Sequence, residues 1–147
     1  MSRTAKVAER LLLGTGGALL VLGLLMWAGV GGKQVGGLHV TLGMVLVLTL
    51  WTLCVAAARS GVSRIAVALA ASCGVIVFTF GIAQEQIVPG DWHWTIRVAH
   101  VVISMGAIWW GRRLASLMRQ RETSLAATTG QVLSATSAAR SPVGRVA

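Results

Sequence analysis

LLLGTGGALLVLGLLMWAGV, residues Leu11 to Val30, is twenty residues without a charge. A helix rises 1.5 Å per residue, so about 20 residues cross a hydrocarbon layer of about 30 Å. Outward from this stretch the pattern recurs. Val35 to Ala58 is a second uncharged run, holding one histidine, and Ile65 to Gln84 is a third. Val98 to Gly111 is shorter, but Trp92, Trp94 and Ile96 extend it backward past Arg97. The runs are continuous rather than alternating, which argues against strands. The sequence predicts an all-α membrane protein, a four-transmembrane-helix up-down bundle with helices over about 9–30, 37–58, 64–84 and 92–118.

Composition agrees. The 147 residues suit one domain, 55% are hydrophobic and 12% charged, against about 45–50% and about 25% in soluble domains. Glycine is abundant at 18 without a collagen-like period, and there are only 2 prolines. A disordered chain, a fibrous repeat and an ordinary soluble enzyme are excluded. The first run lacks a clean small-x-small cleavage site before a soluble domain, so it reads as a helix that stays rather than a signal peptide.

The net charge of +9 lies between the runs, not on one face, and so reads as topology rather than as a nucleic-acid surface. Arg3, Lys6 and Arg10 precede the first helix, Arg59 and Arg64 separate the second and third, and Arg112, Arg113, Arg119 and Arg121 follow the fourth. The other two connections carry Lys33 and Arg97, with Glu85 and Asp91. Basic residues collect on the cytoplasmic side. Both termini are expected there, in a multi-pass protein of the bacterial cytoplasmic (inner) membrane. The organisation expected is a cytoplasmic N-terminus over 1–8, a four-helix transmembrane domain over 9–121, and a disordered cytoplasmic tail over 122–147. That tail is rich in Ala, Ser, Thr and Gly, with too little apolar periodicity to pack. Cys54 and Cys73 fall inside helices at different depths and read as small apolar fillers.

Polar groups inside the membrane carry the functional signal, because an ionisable group there is costly. His39 sits about one turn into the second helix and His100 about two turns into the fourth, both near the outer ends. In a sequential bundle these helices are diagonal, so both imidazoles can face the interior from opposite sides. Two imidazoles so placed suit one haem iron, whereas zinc wants three or four ligands. Gly43 lies one turn deeper than His39 on the same face, where a flat macrocycle needs close backbone. His93, Arg97, His100 and Ser104 form one helical stripe. Arg97, one turn outward of His100, stands where propionates would emerge, with Lys33 as a possible helper and His93 as an interfacial residue or propionate partner. Gly16 with Gly23, and Gly74 with Gly81, repeat at seven and suit close helix contacts or a cofactor surface.

Gly37-Leu38-His39-Val40-Thr41-Leu42-Gly43, together with Ile96-Arg97-Val98-Ala99-His100, resembles membrane b-type cytochromes, and most nearly one four-helix half of the haem A synthase family. The resemblance covers residues 9 to about 118. It implies that His39 and His100 are axial ligands to haem b. That family's catalytic half has a glutamate shortly before its histidine, whereas here Gln34 to Leu38 hold none, and neither cysteine lies in a loop. The half that only holds haem b is the better analogue. The expected function is electron transfer by a membrane cytochrome b, as a subunit or partner of a redox complex or carrier to the quinone pool, rather than stand-alone catalysis. The lipid bilayer and a second copy of the chain are the other partners considered, and nucleic acid is not. The alternatives are a non-haem accessory subunit of a larger membrane complex and, more weakly, a small transporter.

Overall fold

The uncharged runs fold into helices that satisfy their own backbone groups, and glycines end the first two. The computed structural model describes residues 3–83, 86–87, 90 and 92–140. They form α1 (Arg3–Trp27), α2 (Gly32–Arg59), α3 (Arg64–Ala83) and α4 (His93–Arg140). The end of α1 is closed by Gly29 N–H donating to the Met26 carbonyl and Val30 N–H to the Leu25 carbonyl, with Gly29 at φ 74°. The end of α2 repeats the device: Gly61 donates to Ala58, Val62 to Ala57, and Gly61 has φ 72°. Glycine stands at both left-handed positions because a β-carbon there is strained.

Short turns make successive helices antiparallel neighbours. α1 touches α2 and α4, α3 touches α2 and α4, and α2 also touches α4 across the middle. Among the described residues α1 and α3 make no contact. The diagonal relation expected for the second and fourth helices therefore holds, and these two helices form the centre of the bundle.

The packing is uneven along the bundle. Leu12, Leu46, Leu50, Leu53, Leu114 and Met118 are fully buried, joined by Ala5, Ala8, Ala57, Ala107 and Ala115. All lie toward the end that carries Arg10, Arg59, Arg64 and Arg112, called here the basic end. Small residues let backbones approach there: a β-carbon on Gly111 would overlap Leu12, and one on Gly16 would lie 2.6 Å from Ile108. Lipid is as apolar as leucine, so such van der Waals contact is what holds membrane helices together. At the same end Arg119 of α4 donates to Glu9 of α1 at 2.6 Å. Outward-facing Leu13, Val21, Leu24, Leu48, Val55, Ile65 and Ile76 remain exposed.

Two expectations change. Among the described residues three helices, α1 to α3, are long and apolar enough to cross a membrane, not four. His93, Arg97 and His100 fall within the apolar stretch of α4 and lower its hydropathy. The stretch 122–140, expected to be disordered, is helical, because α4 runs on to Arg140. No proline interrupts it before Pro142, and Thr123, Ser124, Thr128, Thr129, Ser134 and Thr136 turn their hydroxyls back onto carbonyls three or four residues earlier. Its side chains are exposed through Ser137, so it is a helix without a packed face. The rest of the expected tail, 141–147, lies outside the described residues.

Candidate functional site

Away from the basic end the helices separate and line a partly open cavity of about 430 Å³. That is within the range of about 300–1,000 Å³ found for cofactor and ligand sites. His39 and His100 line it from α2 and α4, with ring centroids 6.3 Å apart and planes at 49°. Gly43 lines it one turn below His39, and Ser104 one turn below His100.

The spacing of the imidazoles discriminates between ligands. With metal–nitrogen bonds of about 2.0–2.1 Å and ring radii of about 1.2 Å, two imidazoles trans to one another on a metal have centroids roughly 6.4 Å apart. A tetrahedral ion would draw them to roughly 5 Å. The observed 6.3 Å matches the trans arrangement. Rings are free to turn about a metal–nitrogen axis, so the 49° between planes is compatible with it. Among the described residues no three His, Cys, Asp or Glu side chains come together, as a zinc site would need.

Each imidazole is backed by a glycine on the neighbouring helix. A β-carbon on Gly23 of α1 would lie 3.7 Å from His39 Cε1, and one on Gly81 of α3 would lie 3.5 Å from His100 Cε1. Phe80 stacks on the far side of His100, with centroids 6.2 Å apart and planes at 11°. The Nδ1 atoms of both histidines are buried without a hydrogen-bond partner, and their Nε2 atoms are not in that state. These residues fit a planar metal macrocycle: two imidazoles from diagonal helices at the trans spacing, apolar walls, and a glycine against each ring. They lack the Nδ1 acceptor that metal-bound histidines usually have.

The remaining expected residues stand apart. Arg97, His93 and Lys33 do not line the cavity; Arg97 and Lys33 are exposed and His93 is half-buried. Arg97 lies one helical turn beyond His100, outside the lined region. Cys54 is buried, Cys73 half-buried, and both are free. The cluster Gln84 and Glu85, and Asp91, lie outside the described residues.

The lining also shows a repeat. His39, Val40, Gly43, Met44 and Val47 line the cavity from α2; His100, Val101, Ser104, Met105 and Ile108, each 61 positions later, line it from α4. Leu19 and Leu20 line it from α1; Val77 and Phe78, each 58 positions later, line it from α3. Fourteen of the twenty lining residues form such pairs, so the two helical hairpins contribute equivalent walls. The helix contacts obey the same exchange: α1 against α2 matches α3 against α4, and α2 against α3 matches α4 against α1. The sequence carries the signal as His39-Val40-Thr41-Leu42-Gly43-Met44 beside His100-Val101-Val102-Ile103-Ser104-Met105. The equivalence breaks at Gly74, where Trp51 fills the space and donates Nε1–H to the Ala71 carbonyl at 3.4 Å. Its counterpart Gly16 lies against Ile108 and lines the cavity.

Compared with known protein families, curated proteins and solved structures, the chain matches none.

Proposed function

We propose that the chain is a small membrane cytochrome b that passes electrons, with α4 as its fourth span and both termini in the cytoplasm of a bacterial cell. The reading rests on one observation: two histidines from diagonal helices line one apolar cavity with their ring centroids 6.3 Å apart. His39 and His100 would hold haem b through Nε2, one from each side. Bound in that way, a haem supplies a one-electron couple with no open position for oxygen or substrate.

The chain's own residues do the rest. Gly23 and Gly81 fix how far each imidazole retreats from the cavity. Gly43 leaves room beside His39, since nothing lies within 4 Å of where its β-carbon would be. The apolar walls exclude water and hold the site at low dielectric. Arg97, beyond the outer rim, is placed to meet carboxylates that leave the cavity there. Lys33 stands at the same end, in the first turn of α2. Electrons would pass to or from a redox complex or the quinone pool.

The test is the absorption spectrum of the full chain, purified in detergent and loaded with haem b, oxidised and reduced. A low-spin bis-imidazole spectrum is expected. It should disappear in His39→Ala and in His100→Ala and persist in His93→Ala. A chain that takes up no haem, or one that loses it through His93→Ala but not His39→Ala, would remove this reading and leave an accessory subunit of a larger complex.

A further inference from the structure

Seven residue pairs make the two walls of the cavity alike, and this bears on how a ligand sits in it. Exchanging the hairpins exchanges His39 with His100, Val40 with Val101, and Met44 with Met105, each pair identical in residue type. The conserved direction of the chain follows from topology. α1 and α3 run the same way, as do α2 and α4, so the exchange is a half-turn about the bundle axis. The histidines lie at equivalent positions on their helices, so the line between them runs across that axis. A flat ligand held between them has one face toward each wall and one edge toward the outer end.

Resting on the haem reading, we propose that the site does not distinguish the two faces of its ligand, and that haem b occupies it in two orientations in comparable amounts. The charged edge of haem b carries two propionates and favours the end where water and Arg97 lie. A half-turn about the axis through that edge keeps the propionates in place. It turns each face of the macrocycle to the opposite wall and exchanges methyl and vinyl groups between its two side edges. Identical residues at three of the paired positions leave little to separate those arrangements. The differing pairs, Leu20 with Phe78, Leu19 with Val77, Gly43 with Ser104 and Val47 with Ile108, are all of one polarity class or small.

The experiment is proton nuclear magnetic resonance of the oxidised full chain loaded with iron protoporphyrin IX. Two sets of shifted haem-methyl signals are expected, with populations within about tenfold of each other, the ratio that corresponds to about 1.4 kcal/mol. An iron porphyrin whose substituents are themselves two-fold symmetric should give one set. Two variants then separate the walls. Val40 and Val101 are 59% and 37% exposed, so enlarging either leaves the packed end intact. Val40→Phe and Val101→Phe should favour opposite signal sets. One signal set in the loaded wild-type chain, or the same set favoured by both variants, overturns the proposal while leaving haem binding in place. A chain that binds no haem overturns the functional reading and this inference with it.

Discussion

Gly81 lies against the His100 imidazole, where a β-carbon would sit 3.5 Å from Cε1, and Gly23 stands in the same relation to His39 at 3.7 Å. Both distances are ordinary contact, so one methyl group fits without moving the ring. A longer side chain does not. Gly81→Ala should therefore keep the low-spin haem spectrum and Gly81→Leu should lose it. Gly23→Ala and Gly23→Leu should behave as the same pair. Haem content per chain in detergent measures the effect, and full occupancy in both leucine variants would show that the glycines do not position the ligands.

Gly111 and Gly14 give opposite expectations for one substitution. A β-carbon on Gly111 would overlap Leu12, whereas nothing lies within 4 Å of one on Gly14. Overpacking of a tight contact costs about 1–3 kcal/mol. Alanine is the better helix former by about 0.8–1.0 kcal/mol at an unobstructed position. Gly111→Ala should lower the unfolding midpoint in detergent, and Gly14→Ala should leave it unchanged or raise it. Equal shifts in the two variants would argue against the close approach of α1 and α4.

Arg97→Leu separates a tuning charge from a ligand. The oxidised haem carries one more positive charge than the reduced form, so a nearby cation disfavours oxidation and raises the reduction potential. Removing the guanidinium should lower the midpoint while haem stays bound. Arg97 is exposed, so solvent screens the effect, and a shift of tens of millivolts is expected, below the ~59 mV of a tenfold change for one electron. Redox titration checks it; an unchanged or raised midpoint would return Arg97 to interfacial anchoring.

The fourth span has a direct test, because α4 falls short of the other helices in hydropathy. Reporter fusions after Arg121 and within residues 85–91 should report opposite sides of the membrane, with the first in the cytoplasm. The same side for both would leave α4 lying outside the bilayer.

The sequence exposed the two histidines because ionisable groups inside long apolar runs are rare, and Gly43 because it follows His39 by one helical turn. Four helices and their diagonal pairing were equally readable from run length and turn spacing. Ser104 was legible as part of the stripe with His100, whereas Met44, Met105 and Phe80 were not. Methionine and phenylalanine are indistinguishable from lipid-facing residues until helix rotation is known, and the matched segments at 39–44 and 100–105 sit in unlike surroundings, one uncharged and one flanked by Arg97. The start of α1 at Arg3 was also hidden, since Ala5 and Ala8 earn their burial only from neighbouring helices. The helix beyond Glu122 has no apolar face, so no periodicity announced it.

The concentration of leucine and alanine packing at the basic end sets an order of assembly. The contacts that close that end, Leu12 with Gly111 among them, involve no residue of the cavity's histidine level. The chain can complete this clasp while the other end is still parted. In the cytochrome proposed above, a cofactor would then enter late, into a scaffold already folded, with the helix ends beyond the histidines spreading and closing about a fixed base. Loss of the cofactor should correspondingly loosen only the outer half, so the empty chain survives to be refilled rather than unfolding.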